Sequence, residues 1–183
     1  MFLMSRDGDS LKRISAVDST DAPSWMPDGR SVLYVAHTRS ESAFHLVSTS
    51  GELLLSVPVP SPIVTVGGVS ISPDGTEVAF AGGTAESEGT FDIYGMKLRA
   101  GDPEWRRIVS DGILPVWSPD GRHLSFTGFR GGNLDLFVVD RDGGNPRNLT
   151  RHEGYDARGT WSPDGDSLCF ISRSPPLPDA PGE

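Results

Sequence analysis

A Pro-Asp-Gly turn recurs four times at a nearly constant interval, and such a period is the signature of stacked, similar units. Trp25-Met26-Pro27-Asp28-Gly29-Arg30 returns as Ile71-Ser72-Pro73-Asp74-Gly75-Thr76, as Trp117-Ser118-Pro119-Asp120-Gly121-Arg122 and as Trp161-Ser162-Pro163-Asp164-Gly165-Asp166. The four aspartates stand 46, 46 and 44 residues apart. Nine residues after the first residue of each motif comes an aromatic: Tyr34, Phe80, Phe126 and Phe170. Proline presets φ, aspartate suits the next turn position and glycine tolerates φ > 0. Each motif therefore joins two antiparallel strands.

The strand after each turn alternates. Val78 and Phe80 share one face, as do Leu124 and Phe126, and Leu168 and Phe170. The other face is also apolar or small, as at Leu33, Val35, Ala79 and Ile171. A strand apolar on both faces is packed on both sides, which a blade wedged between two neighbours requires. A third strand follows at residues 44–48, 91–96 and 134–140, and a fourth ends near Val57, Ile108 and Leu149. Arg106, Arg107 and Arg147 on the fourth strand read as protection of an exposed edge. Four strands in about 40–50 residues match a propeller blade. Trp25, Trp117 and Trp161 are expected in the core, and Cys169 as a packed small residue.

The N-terminus aligns with the second half of a blade. Phe2-Leu3-Met4-Ser5-Arg6-Asp7-Gly8 matches Phe137-Val138-Val139-Asp140-Arg141-Asp142-Gly143, and the chain closes with the first half of one. The expected fold is all-β: a β-propeller of four-stranded antiparallel blades, four in number, the last closed by the N- and C-terminal strands. Sharing a blade between the termini would remove unpaired edges. A partial propeller from a larger ring is the alternative. The expected propeller spans 1–173, with half-blades at 1–15 and 160–173 and whole blades at about 23–58, 69–109 and 115–150. Residues 174–183 hold four prolines and read as a tail or linker.

The formal net charge of −9 disfavours a nucleic-acid partner. No apolar run reaches the length of a membrane helix, so no membrane insertion is expected. The start lacks the basic head and apolar stretch of a signal peptide. The compartment stays open: cytoplasmic as the sequence stands, periplasmic for a mature or truncated chain.

No catalytic, cofactor-binding or metal-binding residue is assigned. Gly-x-Ser-x-Gly, Gly-x-x-x-x-Gly-Lys and Gly-x-Gly-x-x-Gly do not occur. Cys169 is the one cysteine, and His37, His45, His123 and His152 are not at metal-ligand spacing. The calcium-loop pattern fails at Asp140-Arg141-Asp142-Gly143, whose twelfth position is Arg151. The repeated aspartates read as turn formers, since a catalytic group does not come in four copies.

The Trp-Ser-Pro-Asp-Gly turn, its aromatic strand, residues 134–144 and Arg147-Asn148-Leu149-Thr150 resemble the WD40-like repeats of TolB-like bacterial propellers, over essentially residues 1–173. The resemblance implies a non-catalytic binding scaffold for an unidentified protein partner, monomeric if the ring closes on itself. Similar propellers also gate the catalytic domain of prolyl-oligopeptidase-type serine peptidases or bind carbohydrate, which are the alternatives. TolB-like proteins carry more blades, an extra N-terminal domain and a signal peptide, none of which is seen here. In a propeller the loops between blades and between the second and third strands gather at one face and carry function. On those loops Phe129, Arg130, Tyr155 and Arg158 supply the aromatic and guanidinium groups typical of interface anchors, and they form the expected binding face. Glu86 and Glu88 make a neighbouring loop acidic, and His152 and Asp156 flank Tyr155.

Overall fold

The hairpin turns form where the motif places them, and the computed structural model shows why. It describes residues 1–173 apart from 18, 39, 40, 88, 102, 103, 131 and 152; the expected tail at 174–183 lies outside the described residues. In every repeat the glycine N–H donates to the carbonyl three residues earlier, and the glycine takes a positive φ of 64°, 71°, 68° or 81°. The aspartate accepts a backbone N–H from the residue two ahead: Arg30, Thr76, Arg122 and Asp166, at 2.8 to 3.1 Å. Ser72, Ser118 and Ser162 also donate their hydroxyls to it, and where Met26 replaces that serine, Ser31 does so instead. These donors hold all four carboxyls below their ordinary pKa.

Sixteen strands follow among the described residues. β1 (Phe2–Met4) and β2 (Leu11–Arg13) pair as a two-stranded sheet. β3 (Ser19–Trp25), β4 (Ser31–His37), β5 (Ser42–Ser48) and β6 (Leu53–Pro58) form the first full blade. β7 (Ile63–Ile71), β8 (Glu77–Thr84), β9 (Asp92–Lys97) and β10 (Trp105–Val109) form the second. β11 (Gly112–Trp117), β12 (His123–Arg130), β13 (Asn133–Asp140) and β14 (Arg147–Asn148) form the third. β15 (Asp156–Trp161) and β16 (Leu168–Ser172) make the last pair. Each full blade is an antiparallel meander.

The core lies between blades. Leu33, Val35 and Phe44 of the first blade meet Val78, Phe80 and Met96 of the second. Ala79 and Ile93 of the second meet Leu124, Phe126 and Phe137 of the third. This explains strands apolar on both faces: Phe80 and Ala79 serve different neighbours. Glycines two residues beyond the aromatic make room for the third strand. A Cβ on Gly82 would lie 2.9 Å from the Tyr94 ring, and one on Gly128 would lie 2.9 Å from the Phe137 ring.

The innermost strand of every blade carries a bulge that the motif does not announce. Three residues before each motif start, Ala22, Gly68, Leu114 and Arg158 take φ of 51° to 61°, and the pairing register shifts around each of them. Only one of the four is glycine. The bulges let the first strands begin at Ser19, Ile63 and Gly112, ahead of the expected blade starts.

The expected closure of one blade by the two termini is corrected. β1–β2 and β15–β16 are separate sheets. β1–β2 packs on the first blade through Ile14 and Leu3 against Val32 and Tyr34, whereas β15 packs on β12 and β13. Each half is committed to its own neighbour, and three blades stand between them. The chain is a partial propeller, the alternative considered for the sequence. Its ends lack neighbours, which corrects three further expectations. Trp25 is 52% exposed, while its counterpart Trp117 is 5% exposed. Trp161 is half-buried, and Cys169 is exposed.

Candidate functional site

Two cavities at blade junctions open on the face where first strands start and second strands end. The first, about 410 Å³, lies between the first and second blades. It is bounded by the β4–β5 hairpin at His37, Thr38, Glu41 and Ser42 and by the connection Pro58 to Val64. The second, about 220 Å³, lies between the second and third blades, under Phe91, Ile113, Phe129 and Leu134. The repeat places equivalent loops around equivalent junctions, so the gathering of loops follows from the fold.

At the first cavity the hairpin side is polar and the side from Pro58 to Val64 is largely apolar. His37 Nδ1 lies 2.8 Å from Ser42 Oγ, and His37 Nε2 lies 3.1 Å from Asp21 Oδ2. The three residues sit on adjacent strands, with His37 opposite both Ser19 and Ser42. Hydroxyl, imidazole and carboxylate in that order are the parts of an activated nucleophile. The Asp21 side chain is 71% exposed, however, and water screens its hold on the ring. The group suits hydrogen bonding to a polar ligand. Sequence reading missed it. The available signal was a histidine and a serine at opposite ends of a short hairpin loop, which any antiparallel pair brings face to face.

The second cavity is apolar with a polar rim. The Phe129 ring is 59% exposed at its mouth. The Phe129 N–H donates to the Asp111 carbonyl at 3.2 Å, which ties β12 to the incoming connection. Asp111 has φ of 55°, and its N–H donates to Asp92 Oδ1 at 3.1 Å. Asp92 also receives Arg107 at 3.1 Å. Thr127, at the floor, accepts the Arg158 N–H at 3.2 Å and so links the third blade to β15.

The four residues expected at the binding face are distributed as follows. Phe129 stands at the mouth of the apolar cavity. Arg158 is exposed and occupies the bulge of β15, beside Thr127. It is thus a residue of a strand, where a loop was expected. Tyr155 is exposed just before β15, and the Arg173 guanidinium lies 5.5 Å from its ring centre. Arg130 ends β12, and its side chain lies outside the described residues, as do His152 and Glu88.

On the opposite face, Arg106 does more than protect an edge. Arg106 is paired with Glu77, and its Nη2 donates to the Arg141 carbonyl at 2.8 Å. Arg141 reaches across the blade junction to Glu77 at 3.2 Å and Asp74 at 3.0 Å, and lies 5.2 Å from the Trp117 ring centre. A Cβ on Gly95 would collide with the Glu77 carboxylate, so the network needs a glycine there.

Among the described residues no three His, Cys, Asp or Glu side chains converge as a metal set, and no helix is long and apolar enough to cross a membrane. The family described as the TolB beta propeller domain matches residues 63–176. An uncharacterized protein of Agrobacterium fabrum is 29% identical over 160 residues, covering 83% of this chain and 50% of its own length. An uncharacterized peptidase of Bacillus subtilis is 33% identical over 112 residues, covering 58% of this chain and 17% of its own. The chain thus spans half or less of these relatives. The crystal structure of TolB from Acinetobacter baumannii superposes with a TM-score of 0.74 at 28% identity, over 96% of this chain and 43% of that one.

Proposed function

The chain belongs to the TolB beta-propeller family, and from that premise we infer that it is a non-catalytic binding scaffold whose loop face engages a partner protein. One observation carries the reading: a large exposed aromatic, Phe129, at the mouth of an apolar cavity between two blades. An apolar pocket under an aromatic, with the Asp111 rim and with Arg158 nearby, has the make-up of an interface centre with a polar surround. The scaffold beneath is rigid, since the junction is packed by Ile93, Phe126 and Phe137.

The test replaces Phe129, Arg130, Tyr155 and Arg158 together by alanine. The protein captured by the unaltered chain from source cells should be lost, with the melting temperature little changed because the three described side chains are exposed. Unchanged capture would overturn the site. A second reading, the propeller part of a serine peptidase, is favoured by the likeness to the Bacillus subtilis peptidase. A fluorophosphonate probe that labelled the native gene product would select it.

A further inference from the structure

We propose, resting on the loop-face reading above, that the site at Phe129 takes an arginine side chain of the partner protein. Its guanidinium lies between the Asp111 carboxylate and the Phe129 ring, and an apolar neighbour enters the cavity below.

The repeat itself supplies the comparison. With Trp117 aligned on Trp161, Asp111 corresponds to Tyr155 and Phe129 to Arg173. The backbone agrees. The Phe129 N–H donates to the Asp111 carbonyl at 3.2 Å, and the Arg173 N–H donates to the Tyr155 carbonyl at 2.8 Å. In the later pair the two side chains meet, with the Arg173 guanidinium 5.5 Å from the Tyr155 ring centre. A cation within about 6 Å of a ring centre is attracted by the negative face of the ring. One blade earlier the aromatic stands on the other strand, and an acid stands opposite it where the later pair has its ring. Phe129 and Asp111 thus offer a ring face and a counter-charge. Among the described residues no guanidinium or ammonium group lies over Phe129, and none pairs with Asp111.

Both groups are held in place. They line the cavity of about 220 Å³ together, and both are exposed. Asp111 cannot swing away with its connection, because its carbonyl accepts from Phe129 and its N–H donates to Asp92 Oδ1 at 3.1 Å. Asp92 is itself matched by Arg107 at 3.1 Å, which leaves Asp111 as the unopposed carboxylate at the mouth. Glu86, exposed on the β8–β9 hairpin that supplies Gly89 and Thr90 to the cavity, adds charge of the same sign.

Arginine meets both demands. Its planar guanidinium stacks on a ring and donates to a carboxylate as a fork, whereas the lysine ammonium acts as a hydrated point charge. Phe91, Ile113 and Leu134 give the cavity below apolar walls, which suit an aliphatic side chain next to the arginine. A partner with a carboxylate at this point would set it against Asp111, and like charges in contact select against such a partner.

The test titrates the native gene product with acetyl-Leu-Arg-Leu-amide and with the same peptide carrying citrulline, which keeps the shape of arginine without its charge. Binding is read by saturation-transfer NMR. The arginine peptide should bind about tenfold more tightly. Asp111→Asn keeps a residue that tolerates positive φ. It should cut the preference to about threefold, by loss of the ion pair, with the citrulline peptide unchanged. Phe129→Leu should cut it to a similar extent, by loss of the ring. Equal binding of the two peptides, a preference untouched by Asp111→Asn, or no binding of either would overturn the proposal. If the peptides bound alike while the four-alanine variant lost its captured protein, the arginine assignment would fall and the loop-face reading would stand. Capture surviving all four substitutions, beside an intact arginine preference, would uphold the guanidinium site and remove the loop-face partner.

Discussion

At the residue scale, His45 shows how a position on an ordinary strand acquires a pH response. It lies opposite Tyr34 on the neighbouring strand, with Nδ1 3.2 Å from the Tyr34 hydroxyl and the rings edge to face at 5.4 Å. Burial pushes its pKa below 6.5. The folded chain then binds fewer protons at this ring than the unfolded chain. Its contribution to stability is complete above the unfolded pKa and declines as pH falls below about 6.5. The melting temperature should therefore drop between pH 7 and pH 5. In His45→Gln, which keeps an acceptor for Tyr34, that part of the drop should be absent. Equal slopes for the two proteins, measured by calorimetry across the interval, would remove His45 as the source.

At the element scale, blades are joined by packing on the inside, and the second and third blades also by an ionic network at the turn face. The Glu77 carboxylate is buried and accepts from Arg106 of its own blade and Arg141 of the next, while both arginines keep more than a third of their side-chain surface in water. A double-mutant cycle of Glu77→Gln and Arg141→Ala should give a coupling of about 1 kcal/mol, between the values for exposed and buried charged pairs. A coupling near zero would leave apolar packing alone to hold the junction. These elements were unequally legible. The turns could be read because Pro-Asp-Gly acts locally and repeats. The two-faced strands could be read because Val78-Ala79-Phe80 has no polar side. The bulges could not, because Ala22, Leu114 and Arg158 are not residues that favour positive φ, and tertiary packing imposes it. The same limit put Arg158 in a loop. Phe129 was legible as an exposed aromatic, whereas the cavity beneath it depends on Phe91 from the neighbouring blade. The His37 group depends on Asp21 from a different strand.

At the scale of the whole molecule, stability must fall from the middle toward both ends, because each blade is held by its neighbours. The second strands record this gradient. All of β8 except its last residue is buried, as is all of β4 except its last, whereas β16 is exposed over four of its five residues. β2 is exposed throughout, and β1 keeps only Leu3 covered. Trp25 and Trp117 differ for the same reason, although the repeat makes them equivalent. Hydrogen exchange of amides should follow the gradient, since local opening costs least where few apolar contacts break. In a dilute monomer, protection should be greatest in β4, β8 and β12 and smallest in β1, β2 and β16. Uniform protection from β1 to β16 in the dilute monomer would mean that the blades are not stabilised by their neighbours, and the account of the exposed tryptophan would fall with it.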